Sequence, residues 1–244
     1  MILEKQRMHG STVVECLVAL VMFALLFAVL WSTKPKRPAH VIQCIQNQGE
    51  IWKGYTAWAN DHGGKFPRVI GIGAVGGQLG SGKLGDELLP EEVLEVYGAF
   101  VPVDQRPLNR YVQSVTRFHC PADTGGGSHA VASCWETMGN SYQPQVADDL
   151  FGVRRVLGLD SEPESKYEGR SITLNEIGES PRNKIIQGDW NWPASGPLLW
   201  HGGKVGGHVM LFGDGHADVL KFPSQQILTN QFLHKVPDLK SRWW

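Results

Sequence analysis

The sequence has almost no net charge and no internal repetition. It carries 23 Lys and Arg against 24 Asp and Glu, for a formal net charge of -1 over 244 residues. A protein that grips nucleic acid phosphates without regard to base sequence needs a strong positive charge, so we expect no nucleic acid partner. There is no long low-complexity tract and no repeat of fixed period. Glycine is abundant (29 residues) and charged residues make up only 19%, which favours a loop-rich globular region.

Complete enzyme signatures are also missing. Residues 71–76 match the dinucleotide pattern GxGxxG, but the glycine-rich residues that follow are too flexible to begin the helix that such a site needs. Residues 77–83 resemble a P-loop, yet Leu84 stands where Ser or Thr must bind Mg²⁺. Residues 178–182 lack the final glycine of a nucleophile elbow. We therefore expect a surface loop at 71–85, no enzymatic activity and no cofactor.

The longest apolar run covers residues 16–31, all of which are apolar. As a helix it extends about 24 Å, whereas a bilayer core is about 30 Å thick, so a spanning helix also needs residues 12–14. An ordinary secretory signal is shorter and ends at a small-residue site, which residues 30–33 do not offer. A plain membrane anchor has no need of Glu15, whose carboxylate costs about 2.5–3.5 kcal/mol at membrane depth. We predict a transmembrane segment over residues 12–31.

Residues 10–15 (GSTVVE) and this apolar run resemble the amino-terminal signal of type IV pilins and pseudopilins. In that family a glycine precedes the cleavage site and a glutamate is fifth in the mature chain, which here are Gly10 and Glu15, counted from Ser11. The resemblance implies that a prepilin peptidase cleaves between Gly10 and Ser11 and that Ser11 is then N-methylated. It also implies that Glu15 serves subunit assembly, paired with the freed α-amino group of a neighbouring subunit.

Short motifs further along the chain resemble a large pseudopilin-like family whose carboxy-terminal region carries a histidine, a spacer and Asp-Gly. The spacer here, between His201 and Asp214-Gly215, is longer than is usual in that family. The other motifs are residues 44–47 (CIQN), 58–67 (WANDHGGKFP), 106–111 (RPLNRY) and 118–123 (FHCPAD).

These features predict an α+β, pilin-like fold in three parts. We expect a leader at residues 1–10, a helical region at 11–62 and a globular head with an antiparallel β-sheet at 63–244. The amino-terminal hydrophobic transmembrane helix should kink near Pro35 and Pro38, because proline removes a helical hydrogen bond and clashes with the preceding turn.

Two elements of the head can be placed from the sequence. A second helix, packed on the head, is predicted over residues 39–60. Its apolar residues recur at helical spacing, namely Ile42, Ile45, Trp52, Tyr55 and Ala59. Asp214-Gly215 lies between two β-prone runs and predicts a hairpin with a type I′ turn, in which both central residues have positive φ.

The four cysteines divide into two pairs. Because the resemblance places the head outside the cytoplasm, Cys120 and Cys134 are predicted to form a disulfide. Cys16 and Cys44 lie on the predicted helices and are expected to be buried, small apolar side chains.

Two sets of residues in the sequence could bind a metal, but simpler explanations exist for both. Cys120 could bind zinc with His119 and His129, although their spacing fits no zinc module. A second set, His201, Asp214 and His216, offers imidazole and carboxylate ligands. An Asp-Gly turn already explains Asp214 without a metal, so we predict no metal and keep this set as weak candidates.

The resemblance implies a structural subunit of a type II secretion pseudopilus or a type IV pilus-like filament. Its location would be the inner (cytoplasmic) membrane, single-pass, with the head exported. Its partners would be other pilin-like subunits through the amino-terminal helix, prepilin peptidase, the inner-membrane assembly platform and the membrane. The alternative is a membrane-tethered extracytoplasmic domain that binds a ligand or a metal.

Overall fold

The computed structural model describes residues 12–32, 37–126, 130–194, 199–201, 206–223 and 229–244, with side chains described as far as Phe27 in the first of these ranges. The chain divides into two compact units, Met1–Arg37 and Pro38–Trp244. The predicted leader, including Gly10 and Ser11, and the predicted kink at Pro35 lie outside the described residues.

The first unit contains helix α1, Val13–Ser32. A capping box begins it. The carbonyl of Thr12 accepts the first helical hydrogen bond from the Cys16 N–H. The Thr12 N–H donates to the Glu15 carboxylate at 2.9 Å, and the Glu15 N–H donates to Thr12 Oγ1 at 3.4 Å. Glu15 thus has a local role, because it satisfies a backbone donor where the helix dipole favours negative charge.

The predicted transmembrane segment is wrong. Among the described residues, no helix is long and apolar enough to cross a membrane. Helix α1 begins only at Val13 and carries Glu15 in its first turn. Its described side chains, as far as Phe27, cover about 22 Å of helix, against about 30 Å for a bilayer core. The predicted fold class, which contained this transmembrane helix, and the predicted single-pass inner-membrane location are therefore wrong as well.

Helix α2, Ala39–Asp61, is the long helix of the second unit and is one residue longer than the predicted helix. Its buried face is made of residues at steps of three and four, namely Val41, Cys44, Gln48, Ile51, Tyr55 and Ala59. This face is rotated from the predicted stripe, since Ile42 is exposed and Trp52 is only half-buried. The prediction counted apolar residues only and missed Gln48, whose Oε1 accepts a hydrogen bond from Gln187 at 2.8 Å.

The strands of the second unit form one main sheet and two small pairs. They are β1 (Arg68–Val69), β2 (Lys83–Leu84), β3 (Glu87–Leu88), β4 (Tyr142–Pro144), β5 (Gly158–Leu159), β6 (Ile185–Asp189), β7 (His208–Phe212) and β8 (Ala217–Leu220). The main sheet has the order β4-β6-β7-β8 and is antiparallel throughout. Strands β1 and β5 pair in parallel, and β2 and β3 pair as an antiparallel ribbon.

The two central strands are buried on both faces. Val209 and Leu211 of β7 belong to the core cluster that contains the buried face of α2. Met210 and Phe212 belong to a second cluster on the opposite face of the sheet. The alternation follows from the two-residue period of a strand. Because β6 and β7 lie between two apolar layers, polar side chains on them must find partners inside the protein.

The remaining described helices are short. They are α3 (Glu91–Tyr97), α4 (Cys134–Met138), α5 (Leu174–Gly178) and α6 (Asn230–Leu233), together with the 3₁₀ turns Val103–Gln105, Pro107–Arg110, Val115–Phe118 and Pro181–Asn183. Helix α5 carries a capping box formed by Thr173 and Glu176.

The hairpin predicted at Asp214-Gly215 is confirmed, since β7 and β8 pair directly across it. The predicted type I′ turn is wrong. The Gly215 N–H donates to the Phe212 carbonyl and the Phe212 N–H donates to the His216 carbonyl, each at 2.9 Å. Gly215 has φ +83°, whereas Asp214 is not among the residues with positive φ. This is the geometry of a three-residue loop that ends in a left-handed glycine.

The glycine-rich stretch at 71–85 folds around Arg106, a fully buried side chain. The guanidinium donates to six backbone carbonyls, those of Gly73, Gly76, Gly98, Ala99, Val101 and Met138. Burial lowers the pKa of Arg106 to about 10. Asn109 bonds both the N–H and the carbonyl of Gly77 at 2.8 Å. The predicted surface loop is therefore wrong for residues 71–80, most of which are buried against the RPLNRY motif, whereas residues 83–85 are exposed.

Candidate metal centre

Four potential metal ligands converge in the interior of the second unit, and two of them belong to α2 and to the main sheet. Cys44 comes from the buried face of α2, Cys120 follows the 3₁₀ turn Val115–Phe118, Asp189 ends β6, and His201 precedes β7. All four are buried, and one ligand atom from each lies within 4.8 Å of the others. We call these residues the four-residue centre.

The two cysteines of the centre form a disulfide, with Cα atoms 5.5 Å apart and a separation of 76 positions in the sequence. The predicted Cys120–Cys134 disulfide is therefore wrong, and Cys134 is a free, buried thiol in α4. The expectation that Cys16 and Cys44 are buried, small apolar side chains is also wrong, because Cys16 is exposed and the buried Cys44 is disulfide-bonded. The Asn47 side chain donates to the His119 carbonyl at 2.9 Å and fixes the same two segments. These contacts join the CIQN motif to the FHCPAD motif.

Asp189 and His201 complete the centre from the sheet side. Asp189 Oδ2 accepts a hydrogen bond from the Val209 N–H at 2.8 Å. His201 Nε2 lies 3.5 Å from Asp189 Oδ2 and 3.5 Å from Cys120 Sγ. Within the described part of the chain, Asp189 Oδ1 and His201 Nδ1 have no hydrogen-bond partner. Buried polar atoms without partners are rare in proteins, so this pair needs an explanation.

Three further side chains surround the centre. The Tyr142 hydroxyl donates to Cys44 Sγ at 3.6 Å, and burial together with the negative charge of Asp189 raises the pKa of Tyr142. His208 Nδ1 lies 3.9 Å from Asp189 Oδ2. Burial lowers the pKa of His208, which favours its neutral form. The exposed His40 stacks on His201 with ring centroids 5.5 Å apart.

The other predicted candidates do not join this centre. Among the described residues, the group that could hold a metal includes His201 but neither Asp214 nor His216. His216 Nδ1 and its backbone N–H both bond Asp214 Oδ1 at the hairpin turn. Burial raises the pKa of Asp214, but the bonds from His216 outweigh it and leave that pKa below its ordinary value. Of the predicted motif residues, His201 therefore belongs to the four-residue centre, whereas Asp214 and Gly215 form the hairpin turn.

The alternative zinc set built on Cys120 receives no support from His119, whose ring stacks on Trp135 with centroids 5.1 Å apart. His129 lies outside the described residues.

Comparisons with known protein families, with curated proteins and with solved structures returned no match for this chain.

Sequence reasoning missed Asp189 and the part that Cys44 plays. A signal for Asp189 existed, because it ends an otherwise uncharged strand, Ile185–Asp189, that is buried along its whole length. An acidic residue in such a position must be paired or must bind a cation. Chemically, the centre offers two sulfur ligands, one imidazole and one carboxylate, and its sulfur atoms can instead bond to each other.

Proposed function

We propose that this chain is a structural subunit of a type II secretion pseudopilus or a type IV pilus-like filament, that a prepilin peptidase cleaves it between Gly10 and Ser11, and that it assembles through α1. The observation that carries the proposal is the surface of α1. From Val13 to Phe27 every side chain is exposed, and all except Glu15 are apolar. Phe23, for example, is 77% exposed.

A helix that is apolar on all sides is normally covered by other protein surfaces. The same helix in further subunits is the natural cover, since identical apolar helices can pack side by side in a filament. Glu15 is compatible with such packing because its carboxylate already bonds the Thr12 N–H and is also available to an ammonium group of a neighbouring subunit.

We propose a structural rather than a catalytic role for the second unit. Its buried cations serve the backbone: the Lys184 ammonium donates to the carbonyls of Arg154, Ile185 and Trp244 at 2.7, 2.8 and 3.3 Å. Burial lowers the pKa of Lys184 well below its ordinary value. Together with Arg106, this arrangement supports a rigid head made of loops that are held by buried donors.

The test is the amino-terminal sequence of the mature protein, purified from cells that contain a prepilin peptidase. We expect a chain that begins at an N-methylated Ser11. Cells that lack the peptidase are the control and should yield the chain with residues 1–10 attached. A mature chain that begins at or after Ser32, or cleavage that does not depend on the peptidase, would contradict the proposal.

A further inference from the structure

We propose that the four-residue centre, Cys44, Cys120, Asp189 and His201, binds a divalent cation of the zinc class when its cysteines are reduced, and that the disulfide is the metal-free form of the same site. This inference does not rest on the proposed filament function. It rests on the distances, the burial and the donor types of the four side chains.

One ligand atom from each of the four side chains lies within 4.8 Å of the others, and two of the distances match those of a zinc site. Zinc binds sulfur at about 2.3 Å and nitrogen or oxygen at about 2.0–2.2 Å, so neighbouring ligand atoms of a tetrahedral site lie about 3.3–3.8 Å apart. His201 Nε2 is 3.5 Å from Cys120 Sγ and 3.5 Å from Asp189 Oδ2. To bind a cation, the bond between the two sulfur atoms must open and the sulfur atoms must move apart, while His201 Nε2 already lies at suitable distances from Cys120 Sγ and Asp189 Oδ2.

The burial of Asp189 and His201 calls for a partner that the protein itself does not provide. Asp189 is 1% exposed and His201 is 0% exposed. Within the described residues, the ion-pair partners of Asp189 are His201 and His208, and both contacts are 3.5 Å or longer. Asp189 Oδ1 has no hydrogen-bond partner in the same part of the chain. A buried carboxylate is costly unless a charge or a metal compensates it, and a bound dication would do so.

The donor set selects the class of metal. Thiolate and imidazole ligands favour zinc and similar borderline metals over Mg²⁺ or Ca²⁺, which prefer oxygen ligands alone. Four protein ligands fill a tetrahedral shell and leave no position for a substrate, as in structural zinc sites. The metal would thus join α2, the Cys120 loop, the end of β6 and the segment at His201, and would stabilise the fold.

The surrounding hydrogen bonds suit this role. Groups that hold the ligands orient them and tune the metal. The Val209 N–H fixes Asp189 Oδ2 at 2.8 Å. The Tyr142 hydroxyl, 3.6 Å from Cys44 Sγ, can donate to a thiolate sulfur. Two of the four ligands therefore have donors directed at the atoms that would carry negative charge.

The conversion of the disulfide form into the metal-bound form is balanced in atoms and electrons when a dithiol is the reductant. The dithiol gives two electrons and two protons to the Cys44–Cys120 bond, becomes a cyclic disulfide itself, and leaves two cysteine thiols. The metal ion then binds both sulfur atoms and releases their two protons. In the reverse direction, an oxidised dithiol takes up two electrons from the two thiolates and two protons from water, the sulfur–sulfur bond forms, and the metal ion leaves.

The test compares the full chain in its oxidised form and after reduction with dithiothreitol and anaerobic desalting, with cobalt(II) as the spectroscopic probe. We expect the reduced chain to bind one cobalt ion, with thiolate-to-cobalt charge-transfer bands, and zinc to displace it. The oxidised chain should bind none. Its near-ultraviolet circular dichroism supplies the reference for a folded chain.

Two ligand variants, Asp189→Asn and His201→Gln, should weaken cobalt binding to the reduced chain by at least tenfold. Two matched controls, Cys134→Ser and His216→Gln, remove a buried thiol and an imidazole outside the centre and should bind as the parent does. If reduction loosens the fold, added zinc should restore the circular dichroism of the oxidised chain. A reduced chain that neither binds cobalt nor regains that signal with zinc overturns the proposal. Equal binding by the oxidised chain, or binding lost in Cys134→Ser alone, also overturns it.

Discussion

Cys134 is a buried thiol whose surroundings oppose its ionisation. It is 0% exposed in the first turn of α4. Burial and the nearby carboxylate of Asp123 raise its pKa well above the ordinary value. Asp123 itself is fixed at this place, because it accepts hydrogen bonds from the backbone N–H groups of Gly125, Cys134 and Trp135. The carboxylate beside the thiol is therefore held in place by the fold.

This arrangement predicts a pH dependence of the free energy of unfolding. An unfolded thiol ionises near pH 8.5, while the native Cys134 keeps its proton to much higher pH. Above that pH the unfolded state binds fewer protons than the native state, so stability falls as pH rises, by up to about 1.4 kcal/mol per unit. Urea denaturation at about pH 7 and about pH 10 should show the parent losing about 2 kcal/mol more than Cys134→Ala. An equal loss in both proteins would show that Cys134 does not carry this effect.

The pairing of the cysteines could not be predicted from the sequence. Cys120 and Cys134 are close in sequence, but the fold brings Cys120 beside Cys44, 76 positions away. A disulfide needs Cα atoms about 4.4–6.8 Å apart, which is a property of the tertiary structure and not of the spacing. The same argument holds for Asp189 and His201, whose meeting depends on the register of β6 and β7. The motifs contained Cys44, Cys120 and His201 but revealed neither their pairing nor Asp189.

Among the elements, the β7–β8 hairpin depends most directly on one residue. Gly215 has φ +83°, and a Cβ atom there would lie 2.4 Å from the Trp52 ring. A left-handed conformation costs an ordinary residue about 1–2 kcal/mol, and the clash adds about 1–3 kcal/mol. We expect Gly215→Ala to lower the free energy of unfolding by more than about 2 kcal/mol in a denaturant titration.

A matched control separates strain from packing at this turn. Gly63 also has positive φ, +63°, but its added Cβ would meet nothing within 4 Å. Gly63→Ala should therefore show the conformational cost alone, about 1–2 kcal/mol. If both variants lose the same stability, contact with Trp52 does not contribute to holding the hairpin against α2.

The helices and strands of the second unit could be predicted where their formation depends on neighbouring residues in the sequence. Asp214-Gly215 identified the hairpin because turn residues act locally, but the pair did not reveal the turn type, since the turn has positive φ at Gly215 and not at Asp214. The apolar spacing identified α2 but not its buried face. Gln48 and Tyr55 lie on that face because both bond Gln187, at 2.8 and 3.0 Å. A pattern of apolar residues cannot reveal a buried polar network.

For the whole molecule, the main error concerned the apolar run after residue 15. A count of apolar residues predicted a membrane span, whereas the described helix begins at Val13 with Thr12 as its cap and Glu15 in its first turn. The GSTVVE motif therefore has a second, local explanation. Thr12 and Glu15 form a capping box that any helix could use. If α1 assembles filaments through Glu15, this residue must do more than cap the helix.

Two substitutions of Glu15 separate these roles. Gln can replace Glu in a capping box, so Glu15→Gln keeps the start of α1 but removes the negative charge. Glu15→Ala removes the negative charge and also the bond that the Glu15 side chain accepts from the Thr12 N–H, while the backbone bond to Thr12 Oγ1 remains. Both changes lie in the first unit, and the circular dichroism of the isolated residues 38–244 supplies the reference for a folded second unit.

The central claim is that α1 assembles subunits and that the charge of Glu15 takes part. The most direct measurement is crosslinking between full-length chains through the exposed Cys16, in cells that contain the prepilin peptidase. Leaving an ammonium group unpaired in a packed helix bundle costs about 3–5 kcal/mol. We therefore expect crosslinking of Glu15→Gln to fall more than tenfold, to the level of Glu15→Ala. Crosslinking of Glu15→Gln at the parent level, with only Glu15→Ala impaired, would mean that Glu15 merely caps the helix and would contradict the account.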